Sequence, residues 1–191
     1  PWIVVGMVLL IGVVAGLVAM QFLSEVRTAR GALERAKADL SALSSNLGSA
    51  DQAQIEATAA DITENVTLAA GIVEGPLWHV AAKVPFVGQN VDAVQRVTRA
   101  VDILVNEALP PGLQFLSTAD LDKLTVEGGG INLEPFSQVQ SSITAIAAAF
   151  TAAQNEVAPI DTASLLPEVS QPIEDIMNII DQAAPALDVA E

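Results

Sequence analysis

His79 is the only histidine of the chain, and cysteine and tyrosine are absent. Acid–base work near neutral pH falls first to histidine, and no residue is present to supply a thiolate or phenolate nucleophile. Zinc needs more nitrogen or sulfur ligands than one imidazole offers. Asp120 and Asp122 invite a calcium reading, yet no third oxygen donor follows at the needed offset and no glycine sits at the sixth loop position. Gly128-Gly129-Gly130 lacks the Lys and Ser or Thr that complete a phosphate-cradling loop. These acids read as solvated loop residues, and His79 beside Trp78 reads as a polar interfacial residue. No catalytic, metal or cofactor site is expected, and the chain is not expected to be an enzyme.

Two other spacings have physical consequences. Gly12 and Gly16 form a Gly-x-x-x-Gly step with Ala15 and Ala19 on a neighbouring stripe, which permits close helix–helix approach and homo-association within a membrane. Residues 74–88 collect Pro76, Leu77, Trp78, Lys83, Pro85, Phe86 and Gly88 in one short stretch. Leu77, Trp78 and Phe86 are expected to rest at the lipid headgroup boundary or to cap the lower end of a helical bundle. Asn65-Val66-Thr67 matches a glycosylation sequon, but it falls mid-helix and carries no expectation.

The elements that must position these residues start with an apolar run. Trp2 to Leu23 contains no charge, and as a helix it rises about 33 Å, enough for a hydrocarbon core of roughly 30 Å. Its core is longer than a signal peptide's, and Val18-Ala19-Met20 makes a poor cleavage site, so a retained span over 1–23 is expected. Because the chain opens on Pro1 without Met, a preceding stretch is expected as well.

Net charge is −15 and unevenly placed. Residues 24–47 carry four basic residues against three acidic, whereas residues 48–191 carry four against twenty. So acidic a surface repels phosphate backbones and excludes nucleic-acid binding. The basic residues Arg27, Arg30, Arg35 and Lys37, counted alone, favour a cytoplasmic position for the flank after the span. They are mixed with acids on a helix, and the acidic bulk, 24–191, is read as extracytoplasmic.

Beyond the span, Val26, Ala29, Leu33, Ala36, Leu40, Leu43 and Leu47 keep a three–four rhythm that predicts one rod continuing outward and ending near Gly48. A return helix is predicted from Asp51, a good N-cap, with the seam Ile55, Ala59, Ile62, Val66, Ala69 and Val73. The short link makes the two antiparallel, a hairpin over 24–73. Its arms are about equally long, roughly 35 Å each, so the chain should arrive back at the membrane end near Val73. Residues 74–88 then form a membrane-proximal turn.

A third helix over 89–107 places Val91, Val94, Val101 and Leu104 on the face that Val87 opens, and should stop at Pro110-Pro111-Gly112. Residues 113–131 are the least regular, and Leu124–Glu127 with Ile131–Leu133 form either a small hairpin or a flexible connector. A fourth helix is predicted over 134–157, seamed by Phe136, Val139, Ile143, Ile146, Phe150, Ala153 and Val157. A fifth, over 165–188, is seamed by Leu166, Val169, Ile173, Ile176, Ile180, Ala183 and Leu187. Pro167 and Pro172 suit its first turns. The fold class is therefore all-α: one N-terminal transmembrane helix continuing into an elongated extracytoplasmic bundle of about five helices.

The stretches Pro76-Leu77-Trp78, Val84-Pro85-Phe86-Val87-Gly88-Gln89-Asn90 and Val91-Asp92-Ala93-Val94 resemble the N-terminal part of an uncharacterised family of actinobacterial single-span envelope proteins, known only as a domain of unknown function. The motif covers 76–94, and the pattern of elements extends over most of the chain. The resemblance implies an exported, Gram-positive envelope location and a further C-terminal domain with no counterpart in these residues. It brings no catalytic residues.

The function expected from all this is that of a non-enzymatic stalk or accessory subunit, anchored in the plasma membrane by a single pass and docked on a partner membrane complex. The alternatives are the sensor or ligand-binding region of a single-span receptor, and the anchor of an envelope glycan-processing enzyme whose catalytic domain lies elsewhere.

Overall fold

Sustained three–four spacing of apolar residues with few internal prolines leaves the backbone one economical way to satisfy its hydrogen bonds, the α-helix. The computed structural model describes the backbone of residues 2–46, 51–118 and 134–188 and the side chains of 20–45, 51–116 and 139–182. Among these residues the structure is all-helical. Its elements are α1 (Trp2–Asn46), α2 (Gln52–Val73), α3 (Pro76–Ala81), α4 (Gly88–Ile103), α5 (Leu109–Thr118), α6 (Glu134–Val157) and α7 (Pro167–Asp188). The chain divides into two units, 1–92 and 93–191.

In the first unit α1 is a single unbroken helix about 67 Å long, and α2 packs back along it. Asp51 caps α2: its carboxylate accepts the Gln54 N–H at 2.8 Å. The buried residues of α2 are Ala59, Ile62, Val66, Ala69 and Val73, with Ile55 half-buried. Among the described side chains of α1 the buried ones are Ala29, Ala32, Ala36 and Leu43. The expected seam is corrected here, because Leu40 is 52% exposed and Leu33 only half-buried, while Ala32 is fully covered. A strip of alanines lets the branched side chains of α2 come close to the α1 backbone, and that turns Leu40 outward while Leu43 stays buried.

In the second unit Ala93, Val97 and Ala100 of α4 close on Ala153 and Val157 of α6 and Ile173 and Ile180 of α7. Phe150, Val169, Ile176 and Met177 pack against this core. Arg99 of α4 reaches Glu156 of α6 at 3.1 Å. Leu166, placed on the α7 seam by its spacing, is exposed, because it lies just before the helix and Pro167 occupies the first helical position. Asp161 caps the short 3-10 turn Thr162–Ser164 by accepting the Ala163 N–H at 3.2 Å.

The expected stop at Pro110-Pro111 does not occur, so the third helix does not end at 107 as predicted; with α4 running on into α5, the described residues form about six helices, the short α3 being the one not expected. Between α4 and α5, residues Leu104–Ala108 form a π-helical turn, in which the Leu109 N–H bonds back to the Leu104 carbonyl. In a regular helix the two proline rings would strike the carbonyls of Asn106 and Glu107, four residues earlier. Widening the turn by one residue shifts those carbonyls aside, and the helix continues to Thr118.

Asn106 folds its amide back onto Asp102, donating to the backbone carbonyl at 3.0 Å and to the carboxylate at 2.9 Å. Burial pushes the Asp102 carboxyl above its ordinary value of 3.8, and the Asn106 bond opposes the shift.

Among the described residues no helix is long and apolar enough to cross a membrane. The side chains of 1–19, which make up most of the expected span and include Gly12 and Gly16, lie outside them. So do Leu47, Gly48, the Asp120–Asp122 and Gly128–Gly130 stretches, the expected hairpin over 124–133, and the side chains of Phe136, Ala183 and Leu187.

Candidate interaction site around Trp78 and Phe86

Between α2 and α4 the chain makes a compact knot of local bonds that sorts its aromatic residues into opposite environments. Gly75 precedes α3 as its N-cap, and its carbonyl accepts the N–H groups of Trp78 and His79 at 3.1 and 3.2 Å. Pro76 takes the first helical position, where its missing N–H costs nothing. The imidazole Nδ1 of His79 lies 3.1 Å from the same carbonyl, so the tautomer protonated at Nδ1 donates there. His79 is thus an exposed residue bonded within its own turn.

Trp78 is turned inward and is only 4% exposed. Its ring lies 5.1 Å from that of Phe22 on α1, tilted by 54°, an ordinary attractive aromatic geometry. Among the described residues the indole Nε1–H has no hydrogen-bond partner. The return of the chain is therefore measurable: after running the length of α2, it meets α1 again one residue short of the end of the charge-free run. Of the two expectations for Trp78, capping the end of the hairpin describes this contact.

Phe86 is placed oppositely. It is 91% exposed, and its φ of 67° lies in the left-handed region that bulky side chains avoid. Three features hold it there. Pro85 presets the preceding backbone angle. The Gly88 N–H donates to the Val84 carbonyl at 2.7 Å, and the buried Asn90 donates its amide to the Phe86 carbonyl at 3.2 Å. At Gly88 a Cβ would stand 2.1 Å from the Ala82 carbonyl oxygen, so only glycine fits.

This geometry explains the Pro85-Phe86-x-Gly88-x-Asn90 spacing: each member closes or locks the same turn. In the same short stretch Val80, Lys83, Val84 and Val87 are also exposed, and Leu77 is half-buried.

Of the residues singled out by sequence, Pro85, Phe86 and Gly88 belong to one locked turn, while Trp78 packs against Phe22. Phe22, near the end of the apolar run, is the residue of this site that no motif singles out. Comparing the arm lengths of the hairpin is the signal that pairs it with Trp78. Among the described residues no cluster of His, Cys, Asp and Glu is arranged to hold a metal ion. Asn65 of the sequon lies mid-α2, its amide bonded to the Asp61 carbonyl at 2.9 Å, and the intervening Val66 is in the core.

The turn presents exposed apolar side chains next to the point where Trp78 meets α1. Comparison with family models, curated proteins and solved structures finds no match for this chain.

Proposed function

We propose that the chain is a non-enzymatic, single-span protein of the plasma membrane, a stalk or accessory subunit of the cell envelope that docks on a partner membrane complex. In this reading residues 1–23 are the anchor and residues 24–191 an elongated extracytoplasmic bundle. The bilayer is then its first partner, with Gly12 and Gly16 available for pairing of spans. The observation that carries the reading is the Phe22–Trp78 contact, which sets the base of the hairpin level with the end of the charge-free run. A run of 22 uncharged and, apart from Gln21, apolar residues has one inexpensive environment, hydrocarbon, and the charge that follows it has another, water. The resemblance of residues 76–94 to actinobacterial envelope proteins supports the same location.

Alkaline extraction of membranes from a host expressing the full chain tests the anchor. The chain should stay in the membrane pellet, and Val13→Arg with Val14→Arg should release it. Recovery of the parent chain in the aqueous fraction overturns the proposal. Mild-detergent purification followed by mass spectrometry tests the accessory role, which fails if the chain comes out alone as a monomer. The receptor reading draws on one feature, the unbroken α1 from Trp2 to Asn46, which could carry a displacement along its axis.

A further inference from the structure

We propose that the tip formed by Val80, Val84, Phe86 and Val87 is a second lipid contact, seated in the headgroup–acyl boundary of the same bilayer that holds the anchor. The inference rests on the anchored reading and adds to it a fixed height and tilt for the hairpin.

Four observations converge on lipid as the occupant. Height comes first: the turn begins where Trp78 meets Phe22, at the end of the charge-free run, and the next charged residue on α1 is Glu25. Shape comes second. Phe86 is 91% exposed, so its ring projects with almost no neighbour. A protein partner would need a pocket matched to that ring, whereas a fluid interface accepts a projecting aromatic without one.

Strain is the third. The turn holds a bulky residue at a φ of 67°, and Gly88 and Asn90 are spent on keeping it there. An aromatic held outward at such cost has a use outside the fold. Charge is the fourth. Residues 74–88 carry only Glu74 and Lys83, so the tip enters a zwitterionic surface without repulsion, and the long Lys83 side chain can reach back to the phosphates.

The natural absence of cysteine makes the test clean. Single-cysteine variants of the full chain, Phe86→Cys, Val84→Cys, Val13→Cys and Ser44→Cys, are labelled with an environment-sensitive fluorophore. Each is placed in phosphatidylcholine nanodiscs whose acyl chains are brominated near the carbonyl end or near the methyl end. The expected result is loss of fluorescence at 86 and 84 with shallow bromines and at 13 with deep bromines. Position 44, exposed near the far end of α1, should respond only to aqueous acrylamide.

Deep quenching at 13 with acrylamide-only quenching at 86 and 84 overturns the lipid contact and leaves the anchor standing. Absence of lipid quenching at every position overturns both. Shielding of 86 from bromine and acrylamide alike means that a protein surface, a second copy of the chain in this purified system, covers the tip, and the inference falls.

Discussion

Replacing Phe86 separates backbone strain from side-chain contact, because the two effects have opposite signs at this position. A bulky residue in the left-handed region costs about 1–2 kcal/mol, which Phe86→Gly removes. Against that, glycine loses about 0.5–1 kcal/mol more chain entropy on folding. With Phe86 91% exposed, only about 20 Å² of it is covered, worth about 0.5 kcal/mol.

Phe86→Gly should therefore be close to neutral, between about 0.5 kcal/mol destabilising and about 1 kcal/mol stabilising, whereas truncating a packed Phe costs about 3–5 kcal/mol. Phe86→Ala keeps the Cβ and its clash, so it should fall about 1 kcal/mol below Phe86→Gly, reversing the usual advantage of alanine. In a unit of this size that gap is about 4–8 °C in Tm. Phe86→Asn, tolerant of left-handed angles, should match or exceed glycine. Thermal unfolding followed by circular dichroism in mild detergent gives the order. If alanine equals or exceeds glycine, the left-handed angle does not govern this turn, and the argument from strain collapses.

Gly88→Ala should cost at least about 2 kcal/mol, read as a lowered Tm, because its Cβ would stand 2.1 Å from the Ala82 carbonyl and backbone must move. Trp78→Ala should cost about 3–5 kcal/mol by opening a cavity beside Phe22. Trp78→Phe, which also removes the unpartnered indole N–H, should cost much less, and equal losses in denaturant titration would refute that account.

Asp102 binds its proton more tightly folded than unfolded, so its contribution to stability is complete below 3.8 and is lost as pH rises through the raised folded value. Asp102→Asn should therefore raise Tm at neutral pH and lose that advantage below 3.8, and a constant difference across pH would refute the burial argument. Gly12→Ile with Gly16→Ile should abolish self-association in a membrane reporter assay, and unchanged association would dismiss pairing through that face.

By itself, the sequence determined the helices whose signals are local. Asp51 marks the start of α2 because its carboxylate needs only the N–H three residues on. The α2 seam is legible because branched residues at alternating steps of three and four contrast sharply with their polar neighbours. Glu134–Val157 and the end of α7 at Asp188 follow from the same contrast.

What tertiary structure alone decided depends on which surface a partner helix covers and how close it comes. Alanine carries little hydropathy contrast, so Ala32 on α1 and Ala93 and Ala100 on α4 became core while Leu40 turned to solvent. Pro110-Pro111 reads as a stop from chain chemistry, yet a wider turn a few residues earlier makes room for it. The candidate site divides along the same line. Its membership, Trp78, Pro85, Phe86 and Gly88, is visible as unusual residues in one short stretch. Which aromatic faces inward and which outward was settled by the distant Phe22 ring and by bonds from Gly88 and Asn90, and spacing along the chain encodes neither.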